Sequence, residues 1–269
     1  MEVINFHTHT CHCRHASGTV KDYLQSASDA GLRVIGIADH APEPLDSTDS
    51  RMPLNQLPEY IAEVRSAAEE FRNMEVFLGV EAERFPHFGM ESLKNIYTGK
   101  YHFDYLIGAV HPGVYYWEDA DTPDGVLEIC RRIVKENIQM IESGLFVCMA
   151  HPDIAGVLID TWGEEHARIF RELIVAAADC GCFLEFNTYG MRKPLKNTAS
   201  GARWQYPLIP FWLLAAELKA PAVIGIDVHR PSDITAGWVE AEKILHGFGM
   251  TPANDRMLEA IRKSVQKNS

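Results

Sequence analysis

The chain has 269 residues, 46% of them hydrophobic, which is enough to bury a large core within one α/β barrel domain spanning residues 1–269. Its formal net charge of -12 argues against a sequence-independent grip on nucleic acid, which needs an excess of Lys and Arg. No apolar run reaches the roughly 18 to 20 residues of a membrane helix. No positively charged, apolar leader precedes the first predicted strand, so a cytoplasmic protein with six reduced cysteines is expected.

Val3-Ile4-Asn5-Phe6 reads as a short buried strand, followed by His7-Thr8-His9. In extended backbone, residues i and i+2 share a face, so both imidazoles can reach one metal ion. A polar loop over residues 10–18 brings His15. Thr19 is the expected N-cap of a helix over residues 20–30, ended by Gly31. A second apolar strand over 34–38 runs into Asp39 and His40. A loop with Pro42, Pro44 and Pro53 then leads to a helix over 57–72, whose periodicity predicts a buried stripe of Ile61, Val64, Ala68 and Phe71.

The third strand, 75–80, is followed by Glu81, and the fourth, 105–110, by His111. After a helix over 125–143 comes a fifth strand, 145–150, ending in His151. A helix over 163–179 leads to the sixth strand, 182–187, which opens into Thr188-Tyr189-Gly190-Met191-Arg192-Lys193-Pro194. A helix over 207–218 precedes the seventh strand, 222–226, which ends in Asp227-Val228-His229-Arg230. Helices over 234–246 and 254–267 close the chain.

Nearly continuous apolar strands are covered on both faces, as in parallel sheets, and their alternation with helices indicates βαβ units. Seven units suggest a barrel or a distorted relative of one; the pattern also accommodates an open doubly wound sheet. Six of the seven strands end in a metal-ligand residue type, and His15 joins them from the first loop. In parallel barrels the C-terminal strand ends share one face, where active sites sit. The candidate ligands are therefore His7, His9, His15, His40, Glu81, His111, His151, Asp227 and His229. Singly, each is unremarkable. Repeated at six strand ends, the placement points to metal. Nine donors exceed one four-coordinate ion and suit two or three, with Glu81 as the bridging carboxylate. Imidazole and carboxylate together fit Zn, Fe or Mn. Cys11 and Cys13 are read as small loop residues, and His12 is left outside the ligand set.

These residues resemble the polymerase and histidinol phosphatase (PHP) superfamily, through His7-Thr8-His9, His15, Asp39-His40, Glu81, His111, His151 and Asp227-Val228-His229. Asp49-Ser50-Arg51-Met52, Gly79-Val80-Glu81-Ala82-Glu83, the segment from Asn187 to Pro194 and Asp227-Val228-His229-Arg230-Pro231 are most similar to its monofunctional histidinol-phosphate phosphatase branch. The resemblance implies a distorted (β/α)7 barrel and a trinuclear divalent metal centre. It implies one ion on His7, His9, Glu81 and Asp227, a second on Glu81, His111 and His151, and a third on His15, His40 and His229. Glu81, Asp227 and His229 are the expected catalytic residues, and Arg192, Arg230 and Arg51 the expected phosphate contacts. The expected substrate is a small phosphomonoester, histidinol phosphate foremost, with another small phosphomonoester or a nucleotide as the alternative. No nucleic-acid polymer and no membrane is expected as partner.

Two other readings compete. An amidohydrolase also opens with His-x-His, but that class often carries a lysine at a mid-barrel strand end, where this chain has Glu81, His111 and His151. A metal-bound scaffold would show lost ligands, and none is lost. Recognition of a cationic alcohol such as histidinol would come from carboxylates or aromatics at the cleft mouth, for which Glu43, Asp46, Asp49, Glu83 and Tyr189 are candidates.

Overall fold

In a computed structural model of the protein, residues 2–42, 50–84, 89–111 and 121–268 are described. The chain groups into two compact units: residues 1–107, 225–238 and 254–269 form the first, and residues 108–224 and 239–253 the second.

The first unit holds strands β1 (Ile4–Asn5), β2 (Val34–His40), β3 (Glu75–Glu83) and most of β4 (Tyr105–Ala109), adjacent in that order. β1 pairs with β2 in parallel, and β2 with β3 over seven residue pairs that end at His40 opposite Glu81. β2 is buried along its whole length, as a strand covered on both faces must be. Helix α1 (Val20–Asp29) starts at a capping box in which Thr19 and Asp22 satisfy each other's backbone N–H groups.

Helix α2 (Leu57–Glu70) departs from its predicted face. Its buried residues are Leu57, Tyr60, Val64 and Ala67: Val64 is as expected, whereas Tyr60 and Ala67 take the places expected of Ile61 and Ala68, one position along. Tyr60 sets this rotation. Its hydroxyl lies 3.0 Å from Ile37 O and 2.9 Å from Gly79 O and accepts the Asp39 N–H at 3.3 Å. A buried tyrosine needs partners for its hydroxyl, and these fix the helix against β2 and β3.

Glycines in β2 and β3 make room for a second tyrosine. A Cβ at Gly36 would lie 2.1 Å from Tyr105 Oη, and one at Gly79 would lie 2.2 Å from Tyr105 Cζ. The Tyr105 hydroxyl donates to Phe6 O at 2.6 Å, at the point where β1 gives way to the histidines.

The second unit contains the end of β4, β5 (Cys148–Met149), β6 (Phe183–Asn187) and most of β9 (Ala222–Gly225). β5 pairs with β6 in parallel, and the order is β5, β6, β9. Helices α3 (Pro123–Glu142), α4 (Glu164–Cys180) and α5 (Ile209–Glu217) belong to it, α4 ending at Gly181 with φ 67°. A short antiparallel hairpin, β7 (Lys196–Thr198) and β8 (Gly201–Arg203), was not predicted from the sequence. Its residues are exposed or half-buried and lack apolar alternation. Helix α6 (Trp238–Gly247) and helix α7 (Asn254–Asn268) close the chain. Among the described residues, no helix is long and apolar enough to cross a membrane.

Candidate metal centre

Within the first unit, seven of the nine predicted ligands converge. The cause begins at Asn5, which is fully buried. Its side-chain amide donates to His7 O at 3.0 Å and Thr8 Oγ1 at 2.8 Å, and its carbonyl oxygen accepts the Ile226 N–H at 3.0 Å. The side chain thus ends β1 after two residues and turns the backbone. Past Asn5, a bridge between Thr8 and Val228, with His9 N–H on Val228 O at 2.8 Å, brings His7 and His9 beside Asp227 and His229.

His7 Nε2 and His9 Nε2 face each other at 2.9 Å. Glu81 Oε2 lies 3.6 Å from the first and 3.5 Å from the second. Asp227 Oδ1 lies 3.6 Å and 3.1 Å from the same two nitrogens. His40, opposite Glu81 in the β2–β3 register, places Nδ1 2.8 Å from Glu81 Oε2. His15 Nε2 and His229 Nε2 are 3.0 Å apart. Ligand atoms of His7, His9 and Glu81 fall within 4.8 Å of one another, as do those of His15, His40 and His229. Asp227 adopts φ 54°, a left-handed conformation uncommon outside glycine and characteristic of strained functional positions.

Electrostatics fit a cation. Burial works against a charge on His9, yet Asp227 and Asp39 outweigh it and hold its pKa well above the usual imidazole range. Burial also opposes charge on Asp227, but His7 and His9 keep it well below the usual carboxylate range. Two buried carboxylates here require positive charge, which a divalent ion would supply in place of the proton that His9 otherwise retains. His40 is pushed well below its ordinary range and His229 to about 4, burial being the largest cause in each. Both are therefore neutral imidazoles near neutral pH, the form that binds metal. A divalent ion satisfies the carboxylates and the facing nitrogens together. The donor set fits it.

The groups behind these ligands were not predicted. Asp39 is fully buried, and both its oxygens accept the Thr10 N–H at 3.0 Å while Oδ2 accepts the Thr10 hydroxyl at 2.5 Å. Its Oδ1 lies 3.7 Å from His9 Nδ1, behind the ligand. The Cys13 sulfur, read as a plain loop atom, falls within 4.8 Å of ligand nitrogens of His9 and His229. The Cys-x-His spacing to His15 was the available signal. His12 is buried and hydrogen-bonded to Glu63.

In the second unit, His111 follows β4 and its ring centroid lies 4.7 Å from that of His151. His151 has φ 31°, and its N–H donates to buried Glu185 Oε2 at 3.0 Å. Asn187 donates to the same oxygen at 2.9 Å. The sixth strand, which ends without a predicted ligand, thus supplies the group that holds one. Arg192 donates to Thr188 Oγ1 at 2.9 Å and stacks on Tyr189 at 5.3 Å.

Arg230, in the first unit, is exposed. Arg51 is buried and ion-paired with Glu83. Glu83 is 3% exposed, which removes it from the expected rim of solvated carboxylates: β3 runs through Glu83 and keeps it inside. Glu43, Asp46 and Asp49 lie outside the described residues.

The PHP domain family model matches residues 5–189. A probable histidinol-phosphatase of Deinococcus radiodurans is 34% identical, over 90% of this chain and 92% of its own length. The chain belongs to the PHP family. A second relative, a probable histidinol-phosphatase of Schizosaccharomyces pombe, is 23% identical over 92% of this chain and 87% of its own. A crystal structure of histidinol phosphate phosphatase from Lactococcus lactis, complexed with zinc, L-histidinol and phosphate, superposes with a TM-score of 0.70. It is 18% identical and covers 93% of this chain and 94% of its own. At that identity it shows the fold, which is the distorted (β/α)7 barrel of the PHP family, as the sequence predicts.

Proposed function

We propose that this PHP-family chain is a metal-dependent phosphoric monoester hydrolase whose substrate is L-histidinol phosphate, giving L-histidinol and phosphate in the cytoplasm. The observation that carries the metal chemistry is the set of seven first-unit side chains, brought together from four strand ends and one loop. The 34% identity to a histidinol-phosphatase over nine-tenths of both chains favours the substrate.

Three divalent ions, Zn, Fe or Mn, are assigned as the family resemblance implies. His7, His9, Glu81 and Asp227 would hold the first, Glu81, His111 and His151 the second, and His15, His40 and His229 the third. Bound there, such ions supply a water deprotonated near neutral pH and offset charge on the phosphoryl oxygens. The protein's own part is largely placement. Asp39 holds His9 and Thr10, Glu185 holds the backbone of His151, and Asn5 fixes the turn that carries both strand-one histidines. Arg192, Arg230 and Arg51 are assigned to phosphate oxygens, whose geometry matches a guanidinium. Glu83 would fix the plane of Arg51.

Phosphate release from a panel of small phosphomonoesters, after reconstitution with Mn, Zn or Fe, tests this function. Histidinol phosphate is expected to be the best substrate. Turnover of all esters except histidinol phosphate would leave the phosphatase and remove the substrate.

A further inference from the structure

His15 is the exposed member of the first-unit cluster, and it comes from a loop rather than a strand. Something other than a sheet must set its position. Its Nδ1 bonds to Cys13 O at 2.8 Å, so the ring follows the single helical turn Cys11–Cys13. That turn is capped before by the Thr10 hydroxyl and closed after by Arg14 at φ 67°. Cys13 tightens it further: its sulfur donates to Thr10 O at 3.2 Å and accepts the Ala16 N–H at 3.3 Å.

The middle residue of the turn is His12. Its ring is buried against the edge of Tyr60, with centroids 5.5 Å apart, and its Nε2 bonds to Glu63 Oε2 at 2.7 Å. The other oxygen of Glu63 accepts the Val20 N–H at 3.0 Å, at the start of α1. One carboxylate on α2 therefore fastens both the ligand-bearing turn and the helix that follows it. An anion is favoured at that helix N-terminus, so the carboxylate is held in place from two sides.

We propose that His12 and Glu63 are positioning residues for His15, and through it for the ion that His15, His40 and His229 would share. The chain of contacts is continuous: Glu63 to His12, the turn to Cys13 O, Cys13 O to His15 Nδ1, and His15 Nε2 toward His229 Nε2. Partners behind metal ligands set ligand orientation, and their loss costs about 10- to 100-fold in metal affinity. The inference rests on the trinuclear reading above.

The test is zinc affinity, measured on the full chain by competition with a chromophoric chelator, with melting temperature recorded alongside. In His12→Ala, one ion per chain should weaken by about 10- to 100-fold while the others keep their affinity. His12→Gln, which restores a donor near the Nε2 position, should recover most of the loss. Arg262→Ala breaks the Arg262–Glu75 pair in the same unit, between α7 and the start of β3, and serves as a control that leaves zinc affinity alone. His15→Ala reports on the underlying reading by losing one ion. If His15→Ala loses an ion and His12→Ala does not, the positioning role is overturned. Equal weakening of every ion in His12→Ala would overturn it too, as general destabilisation. If His15→Ala changes no ion, the trinuclear reading fails and the positioning role with it.

Discussion

Glu81 is the residue on which the proposed metal chemistry depends most. Its Oε2 lies 2.8 Å from His40 Nδ1 and within 3.6 Å of both strand-one histidines. A carboxylate so placed can serve two ions at once. Glu81→Ala is expected to lose metal from two sites together, read as ions per chain by elemental analysis after gel filtration. Full occupancy in that variant would show that Glu81 is not a bridge. In the proposed function Arg192 is assigned to the substrate's phosphate rather than to a metal. Arg192→Ala should lower kcat/KM for phosphomonoesters by roughly 10²-fold, about 3 kcal/mol, and weaken inhibition by free phosphate, with metal content unchanged. Unaltered phosphate inhibition would remove Arg192 from the site.

At the scale of elements, strand ends were readable because a strand's period is fixed and its neighbours are apolar. His7, His9, His40, Glu81, Asp227 and His229 all follow such runs, and the structure brings them together in the first unit. The turn that carries His15 was harder, because its anchors are distant in sequence: Glu63 lies 51 positions from His12, and Asp39 lies 29 from Thr10. No local pattern announces either pair. The α2 face was read correctly at Val64 but one position off at Ile61 and Ala68 for a related reason, since three polar partners of a single tyrosine outweighed its apolar periodicity. The glycines of β2 and β3 carry a further consequence. A methyl at Gly79 meets the Tyr105 ring at 2.2 Å, within a packed core that cannot yield cheaply. Gly79→Ala should cost about 1–3 kcal/mol, seen as a lower denaturant midpoint. An unchanged midpoint would mean that Tyr105 has room to move.

At the scale of the whole molecule, metal binding and folding are linked. Buried carboxylates and facing imidazoles are costly without a cation, so ions that bind the folded chain stabilise it by mass action. Chelation should lower the melting temperature, and excess zinc or manganese should restore it; an unchanged melting temperature would contradict a resident metal centre. Substrate identity was the least legible property, because a rim carboxylate cannot be told from a buried one by sequence: Glu83, expected at the cleft mouth, is committed to Arg51. The central claim is most directly tested by kcat/KM of the metal-reconstituted enzyme for histidinol phosphate against a neutral-alcohol phosphomonoester of similar size. A clear preference for histidinol phosphate is predicted. Equal efficiency toward the two esters would contradict the assignment.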